Sequence, residues 1–295
     1  ADRGPVSTST ATPAGRVAIL TLLPLSRSEI AGRAGSSDSP ETVFAELVAA
    51  EPRAPVRADV ASWILRGGYP QLWAQPDAAR DLWLASYVQT YLERDVRSVL
   101  AVKDLGSFQA FLRLAAARTG QILNLADLAR DAGVSPPTIR QWLNVLEASH
   151  QVFLLRPYYE NFGKRVIKLD TGLVSFLLGL KDADAALTGP MSGALFETAV
   201  IAELAKVFLH RGQPPPLWYV RTRDGWEIDV LVELGGRLHP IEIKATATPR
   251  PGHADTLTRW RALAGERAGG GLLICRASTA SALVPGVRAL PWDRL

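Results

Sequence analysis

Trp226-Glu227-Ile228-Asp229-Val230-Leu231-Val232-Glu233-Leu234 is followed by Gly235-Gly236, two further residues, and then His239-Pro240-Ile241-Glu242-Ile243-Lys244. Both flanks are rich in β-formers, and the paired glycines suit a two-residue hairpin turn. With that turn, facing residues have numbers that sum to a constant. Asp229 is then expected opposite Glu242, and Glu227 opposite Lys244. Side chains alternate along a strand, so Glu242 and Lys244 share one face while Ile241 and Ile243 point into a core. Two facing carboxylates repel unless a proton or a cation neutralises one of them. Pro240 donates no ladder bond and belongs at a strand edge or start.

A pair of hard oxygen donors suits Mg2+, with Mn2+ as a substitute, because magnesium keeps several waters and needs few carboxylates. Beside such an ion, Lys244 can position or deprotonate a water, or offset charge growing on a phosphate. The chemistry expected is hydrolysis of a phosphodiester. The competing reading is a charged hairpin face with no activity.

The spacing of Asp229 and Glu242-Ile243-Lys244 resembles the PD-(D/E)XK, or restriction-endonuclease-like, core. In that family an earlier helix adds an acidic residue. Gly193-Ala-Leu-Phe-Glu197-Thr-Ala-Val-Ile-Ala-Glu-Leu fits such a helix, with Leu195, Ala199, Val200, Ala202 and Leu204 as an apolar stripe. The resemblance implies metal ligation by Asp229, Glu242 and Glu197, with Lys244 as the catalytic lysine. Around these residues the expected order is αβββαβ: a helix from 194 to 209, strand 217–221, the hairpin, helix 254–264 and strand 271–275.

Upstream, residues 105 to 185 read as a winged helix-turn-helix. Phe108 to Arg118 and Leu125 to Asp131 are the first two helices; Gly133 turns, and Ser135 caps a third that opens on two prolines. Ile139, Trp142, Leu143 and Leu146 form its apolar stripe, leaving Thr138, Gln141 and Asn144 outward with Arg140 beside them. Gln151 to Tyr158 and Val166-Ile167 read as strands around a wing whose tip carries Lys164 and Arg165. Those six polar residues are the expected DNA contacts. Asp170 reads as a helix cap.

Further upstream, 36–104 reads as a helical lid. It holds helices at 42–50 and 59–66, a turn at Gly67-Gly68-Tyr69-Pro70, and one long amphipathic helix over 77–99 with Leu82, Ala85, Val88 and Leu92 on its apolar stripe. Gly15 to Ser26 reads as a short strand. The segments Gly15-Arg-Val…Pro24-Leu-Ser26, Gly67-Gly-Tyr-Pro70 and Tyr91-Leu-Glu-Arg-Asp-Val96 resemble a widespread group of prokaryotic AAA-type ATP-binding proteins. In that group an ATPase core is followed by a domain of unknown function that ends in a nuclease-like module. The resemblance makes 1–35 the remnant of the ATPase core and 186–295 the nuclease-like domain. No GxxxxGK[ST] loop occurs in the sequence, so ATP belongs only to an intact parent protein.

Composition sets the outer bounds. The 295 residues carry a net charge of +4, with arginine far ahead of lysine, which suits phosphate contact. The four histidines have no zinc spacing, and the single Cys275 lies in an apolar run. No apolar stretch reaches membrane-helix length and no leader pattern opens the chain, so a cytoplasmic place is expected. The expected protein is multidomain α/β and DNA-associated, with a nuclease-like site. A non-catalytic module that binds nucleic acid or protein, with the nuclease fold surviving as a degenerate scaffold, is the alternative; a protein partner or a homo-oligomer is open in either case.

Overall fold

The computed structural model describes residues 23–32, 39–49, 59–75, 79–92, 105–159, 163–168 and 170–295. The expected strand at 15–26 lies mostly outside these residues. Its end, 23–26, is not a strand; Ser26 instead caps helix α1 (Arg27–Ile30) through a reciprocal capping box with Glu29. Helices α2 (Pro40–Ala49) and α3 (Val60–Arg66) lie where the spacing predicts them. Asp59 caps α3 by accepting the Ala61 and Ser62 N–H groups.

Gly67 ends α3 at φ +67 and Pro70 opens α4 (Pro70–Ala74). The expected long helix begins only at α5 (Arg80–Tyr87) and continues as a π-turn over Val88–Leu92. Its inner face is Leu84 and Val88, flanked by the half-buried Trp83 and Tyr87, whereas Leu82 is 70% exposed. Of the expected stripe Val88 is buried while Leu82 and Ala85 are exposed; Leu84 takes the inner position, and the Trp83 and Tyr87 rings pack on Tyr69. Residues 93–99 lie outside the described residues.

Three helices follow: α6 (Leu105–Ala117), α7 (Leu125–Ala132) and α8 (Pro136–Ala148). Gly133 closes α7 in the left-handed region at φ +70, and the Ser135 hydroxyl accepts the Thr138 N–H. Phe108, Phe111, Leu128, Ile139, Trp142, Leu143 and Leu146 form their common core. Strands β1 (Val152–Pro157) and β2 (Arg165–Lys168) then pair as an antiparallel hairpin. Asp170 caps α9 (Thr171–Leu177), which precedes α10 (Ala183–Thr188).

The rest of the chain is α11 (Ser192–Leu209), β3 (Leu217–Arg221), β4 (Glu227–Leu234), β5 (Arg237–Lys244), α12 (Asp255–Ala264), β6 (Gly271–Cys275), β7 (Ser281–Val284) and β8 (Val287–Pro291). The expected helix-and-strand order through β6 is present. A further hairpin, β7–β8, turns at Pro285-Gly286 and adds to it. The eight strands form one mixed sheet in the order β2-β1-β3-β4-β5-β6-β8-β7. Parallel pairing of β1 with β3, at Arg156↔Trp218 and Pro157↔Tyr219, fuses the upstream hairpin to the C-terminal strands. Pro240 stands just ahead of the pairing with β6, which begins at Ile241↔Leu272.

Helix α11 is apolar almost all round, and such a helix must be covered on several sides. Val230, Val232, Ile241 and Ile243 of the sheet and Phe44, Trp63 and Ile64 of α2 and α3 share a single core with it. On the opposite sheet face, α12 covers Ile228 and Leu231 with Leu257 and Trp260. No helix among the described residues is long and apolar enough to cross a membrane.

Candidate functional site where two strands part

Gly235 and Gly236 both have positive φ, +55 and +74, as a two-residue hairpin turn requires. From that turn the ladder runs Leu234↔Arg237, Glu233↔Leu238, Val232↔His239, Leu231↔Pro240 and Val230↔Ile241, in the register that the sequence predicts. It ends there. On its other side β4 pairs Leu231 with Trp218 but Ile228 with Val220, so it carries one extra residue around Asp229. This β-bulge turns the start of β4 toward β3, a common device for re-aiming a side chain beside a site.

Two expectations are corrected by the bulge. Asp229 is not paired with Glu242; its Oδ2 instead accepts the Ile243 N–H at 2.8 Å, taking the place of a ladder carbonyl. Glu227 does not face Lys244; it pairs with Arg221 of β3, with 3.5 Å between Arg221 Nη1 and Glu227 Oε2. Asp229, Glu242 and Lys244 nevertheless lie in one electrostatic neighbourhood. Glu242 is buried on the α12 side, its Oε1 2.6 Å from Lys244 Nζ and its Oε2 accepting from Thr256 Oγ1 at 3.3 Å.

The electrostatics follow from this crowding. Burial, and then the charge of Asp229, push the Glu242 carboxyl up to about 7, against the pull of Lys244 and Thr256. Burial alone would lower Lys244, but Asp229, Glu242 and Glu197 outweigh it and hold the ammonium above its ordinary range. Lys244 is therefore a cation at neutral pH. Glu197, half-buried on α11 beside Gly120 in the α6–α7 connection, belongs to the same electrostatic neighbourhood. Among the described residues no group of three or more His, Cys, Asp or Glu side chains could hold a metal ion. Asp229 and Glu242 are the two carboxylates that could share a cation, and Glu197 is their neighbour.

The other named residues lie on the last of the three helices and at the β1–β2 hairpin. Arg140, Gln141 and Asn144 are exposed along one face of α8, opposite its buried stripe. Thr138 is half-buried, and its hydroxyl is 2.8 Å from that of Ser135, so it serves the cap rather than the open face. Lys164 is exposed at the start of β2, and its carbonyl accepts the Leu123 N–H at 2.8 Å. The backbone of Arg165 pairs with Leu155; its side chain lies outside the described residues.

Sequence reasoning missed Thr256, whose only signal is a hydroxyl at the start of the helix after the hairpin. It also missed the partner of Gly67-Gly68. Asp170 does cap α9, accepting the Leu173 N–H at 2.8 Å, but its other oxygen takes the Gly68 N–H at 2.6 Å. The two motifs form one buried knot, and burial raises the Asp170 carboxyl above its usual range. Cys275 is buried as expected.

Residues 57–184 match a family described as a domain of unknown function, DUF8612. Residues 192–295 match a second such family, DUF4143. The chain is 35% identical over 192 residues to "Uncharacterized protein Rv2008c" of Mycobacterium tuberculosis and, equally, to "Uncharacterized protein Mb2031c" of Mycobacterium bovis. The alignment covers 63% of this chain and 43% of each relative, so the chain spans under half the length of these curated proteins. No solved structure matches. Two adjoining units, meeting between residues 184 and 192, are thus similar to two families, and the carboxylates and lysine all fall in the second.

Proposed function

We propose that this chain is the C-terminal part of a nucleic-acid-associated protein whose last unit hydrolyses phosphodiester bonds with a divalent cation. The observation that carries the reading is the convergence at the parting of β4 and β5. There a bulge-borne Asp229, a buried Glu242 and a cationic Lys244 meet within one strand end. The run α11-β3-β4-β5-α12-β6 is read as a PD-(D/E)XK-like core, and α6-α7-α8-β1-β2 as a winged helix presenting Arg140, Gln141, Asn144 and Lys164 to DNA. The parent protein is read as AAA-type and ATP-binding, with its nucleotide loop outside this sequence.

The donor chemistry fits Mg2+ or Mn2+: two carboxylates, one made costly to ionise by burial and then by the charge of the other, are what a hard cation relieves. Asp229 and Glu242 would hold it, and when bound it supplies Lewis-acid stabilisation and a more acidic water. The chain's own residues do the rest. Lys244, held as a cation by the carboxylates around it, offsets charge growing on the phosphate or positions the attacking water. Thr256 and the Ile243 N–H fix the two carboxylates in place.

A second reading is a non-catalytic binding module. It is favoured by the 2.6 Å ion pair through which Lys244 already occupies a Glu242 oxygen. Cleavage of plasmid and single-stranded DNA with Mg2+ or Mn2+ separates the two. The nuclease reading expects cleavage that Asp229→Ala slows by roughly 100-fold or more. Salt-dependent binding without any cleavage by the wild type would establish the binding module instead.

A further inference from the structure

Beside the carboxylates, on the same face of the sheet, lies a surface of aromatic rings. Trp260 of α12, 3% exposed, is its anchor. Trp226 stacks on it with centroids 6.0 Å apart and planes 24° apart, and Tyr158 and Tyr159 meet it edge-on at 5.7 and 6.4 Å. Tyr158 and Trp226 are half-buried, and Tyr159 is 44% exposed, so the group crops out at the surface. The Arg259 guanidinium lies 5.1 Å from the centre of the Trp226 ring, and Arg156, two residues before Tyr158 on β1, and Arg223, three before Trp226, are exposed. Asp224, 3.7 Å from Arg259, sets an acidic group against this edge.

This surface is continuous with the site in two ways. Trp226 immediately precedes β4 and lies three residues before Asp229. Arg259 and Trp260 lie one turn along α12 from Thr256, which donates to Glu242. We propose that these rings and arginines are a stacking platform for single-stranded nucleic acid, leading an unpaired strand toward Asp229, Glu242 and Lys244. The proposal rests on the phosphodiesterase reading for the direction of the strand, but not for its binding. Unpaired bases expose π-faces that aromatic and guanidinium groups cover without regard to sequence, while arginines meet the backbone phosphates. A duplex hides those faces, so the platform discriminates between the two forms.

The test is fluorescence anisotropy of a labelled mixed-sequence oligonucleotide, as single strand and as duplex, at fixed salt with chelator present. Tyr159→Ala and Arg259→Glu alter exposed positions; Tyr159→Phe keeps the ring. Tyr159→Ala is expected to weaken single-strand binding by about tenfold, with Tyr159→Phe near wild type and duplex binding unmoved. Unchanged single-strand affinity in Tyr159→Ala and Arg259→Glu overturns the platform, and so does equal loss on both forms of DNA. Absence of any oligonucleotide binding also overturns it and leaves the face to a protein. The two ideas fail separately. If Asp229→Ala abolishes cleavage while Tyr159→Ala binds normally, the platform falls and the hydrolase stands; single-strand binding that depends on Tyr159, with no cleavage under any cation, does the reverse.

Discussion

Glu242 is a carboxyl group placed where ionisation is costly, and that cost has a pH signature. Its value in the folded chain, about 7, lies above the ordinary 4.5. The folded state therefore binds the proton more tightly than the unfolded state. The resulting stability is fully present below about pH 4.5 and is lost as pH rises through about 7. Glu242→Gln removes the titration. Its unfolding midpoint is expected to fall less than that of the wild type between pH 5 and pH 8, so that the variant is the relatively more stable chain at pH 8. Parallel pH profiles would show that the environment of Glu242 is not the one described. Asp229 acts differently: it holds the Ile243 N–H as a ladder carbonyl would, and an asparagine at this position keeps that acceptor while removing the charge.

Elements differ in how well the sequence announces them. The turn at Gly235-Gly236 was legible because only glycine takes positive φ twice in succession at no cost, and it fixed the register as far as Val230. The bulge was not legible. It depends on where β3 pairs, and a partner that lies before the hairpin leaves no local trace in β4. The parallel pairing of β1 with β3 is hidden for the same reason. By contrast, the β7–β8 hairpin has a local signature, a Pro285-Gly286 turn between short apolar runs. Gly67-Gly68-Tyr69-Pro70 was legible as a turn but not as half of a knot. A Cβ on Gly67 would overlap the Asp170 carboxylate and would sit at φ +67. Gly67→Ala is therefore expected to destabilise the chain by about 3 kcal/mol or more, read from denaturant unfolding. A loss below about 1 kcal/mol would mean that α3 and α9 do not meet as described.

At the scale of the whole molecule, α11 joins parts that the sequence presents as separate. Near its start it carries Glu197. Further along, Glu203 accepts the Arg27 N–H at 2.9 Å and pairs with Lys206 at 2.9 Å, and Lys206 donates to the Leu25 carbonyl at 3.0 Å. Both ionic side chains are buried, and each is satisfied by the other and by the 25–27 backbone. The carboxylate pair thus stands on strands packed against a helix that the N-terminal segment also grips. A cation held at the strand end should stabilise the folded chain by linkage.

The most direct test is therefore thermal unfolding of the full chain across rising Mg2+ and Mn2+, beside Asp229→Asn. The account predicts a wild-type midpoint that climbs with cation concentration, by roughly 2 to 4 °C for each kcal/mol of linked binding, and an Asp229→Asn midpoint that stays flat. A wild-type midpoint indifferent to both ions, or the same rise in Asp229→Asn, would contradict the claim that these carboxylates form a cation site.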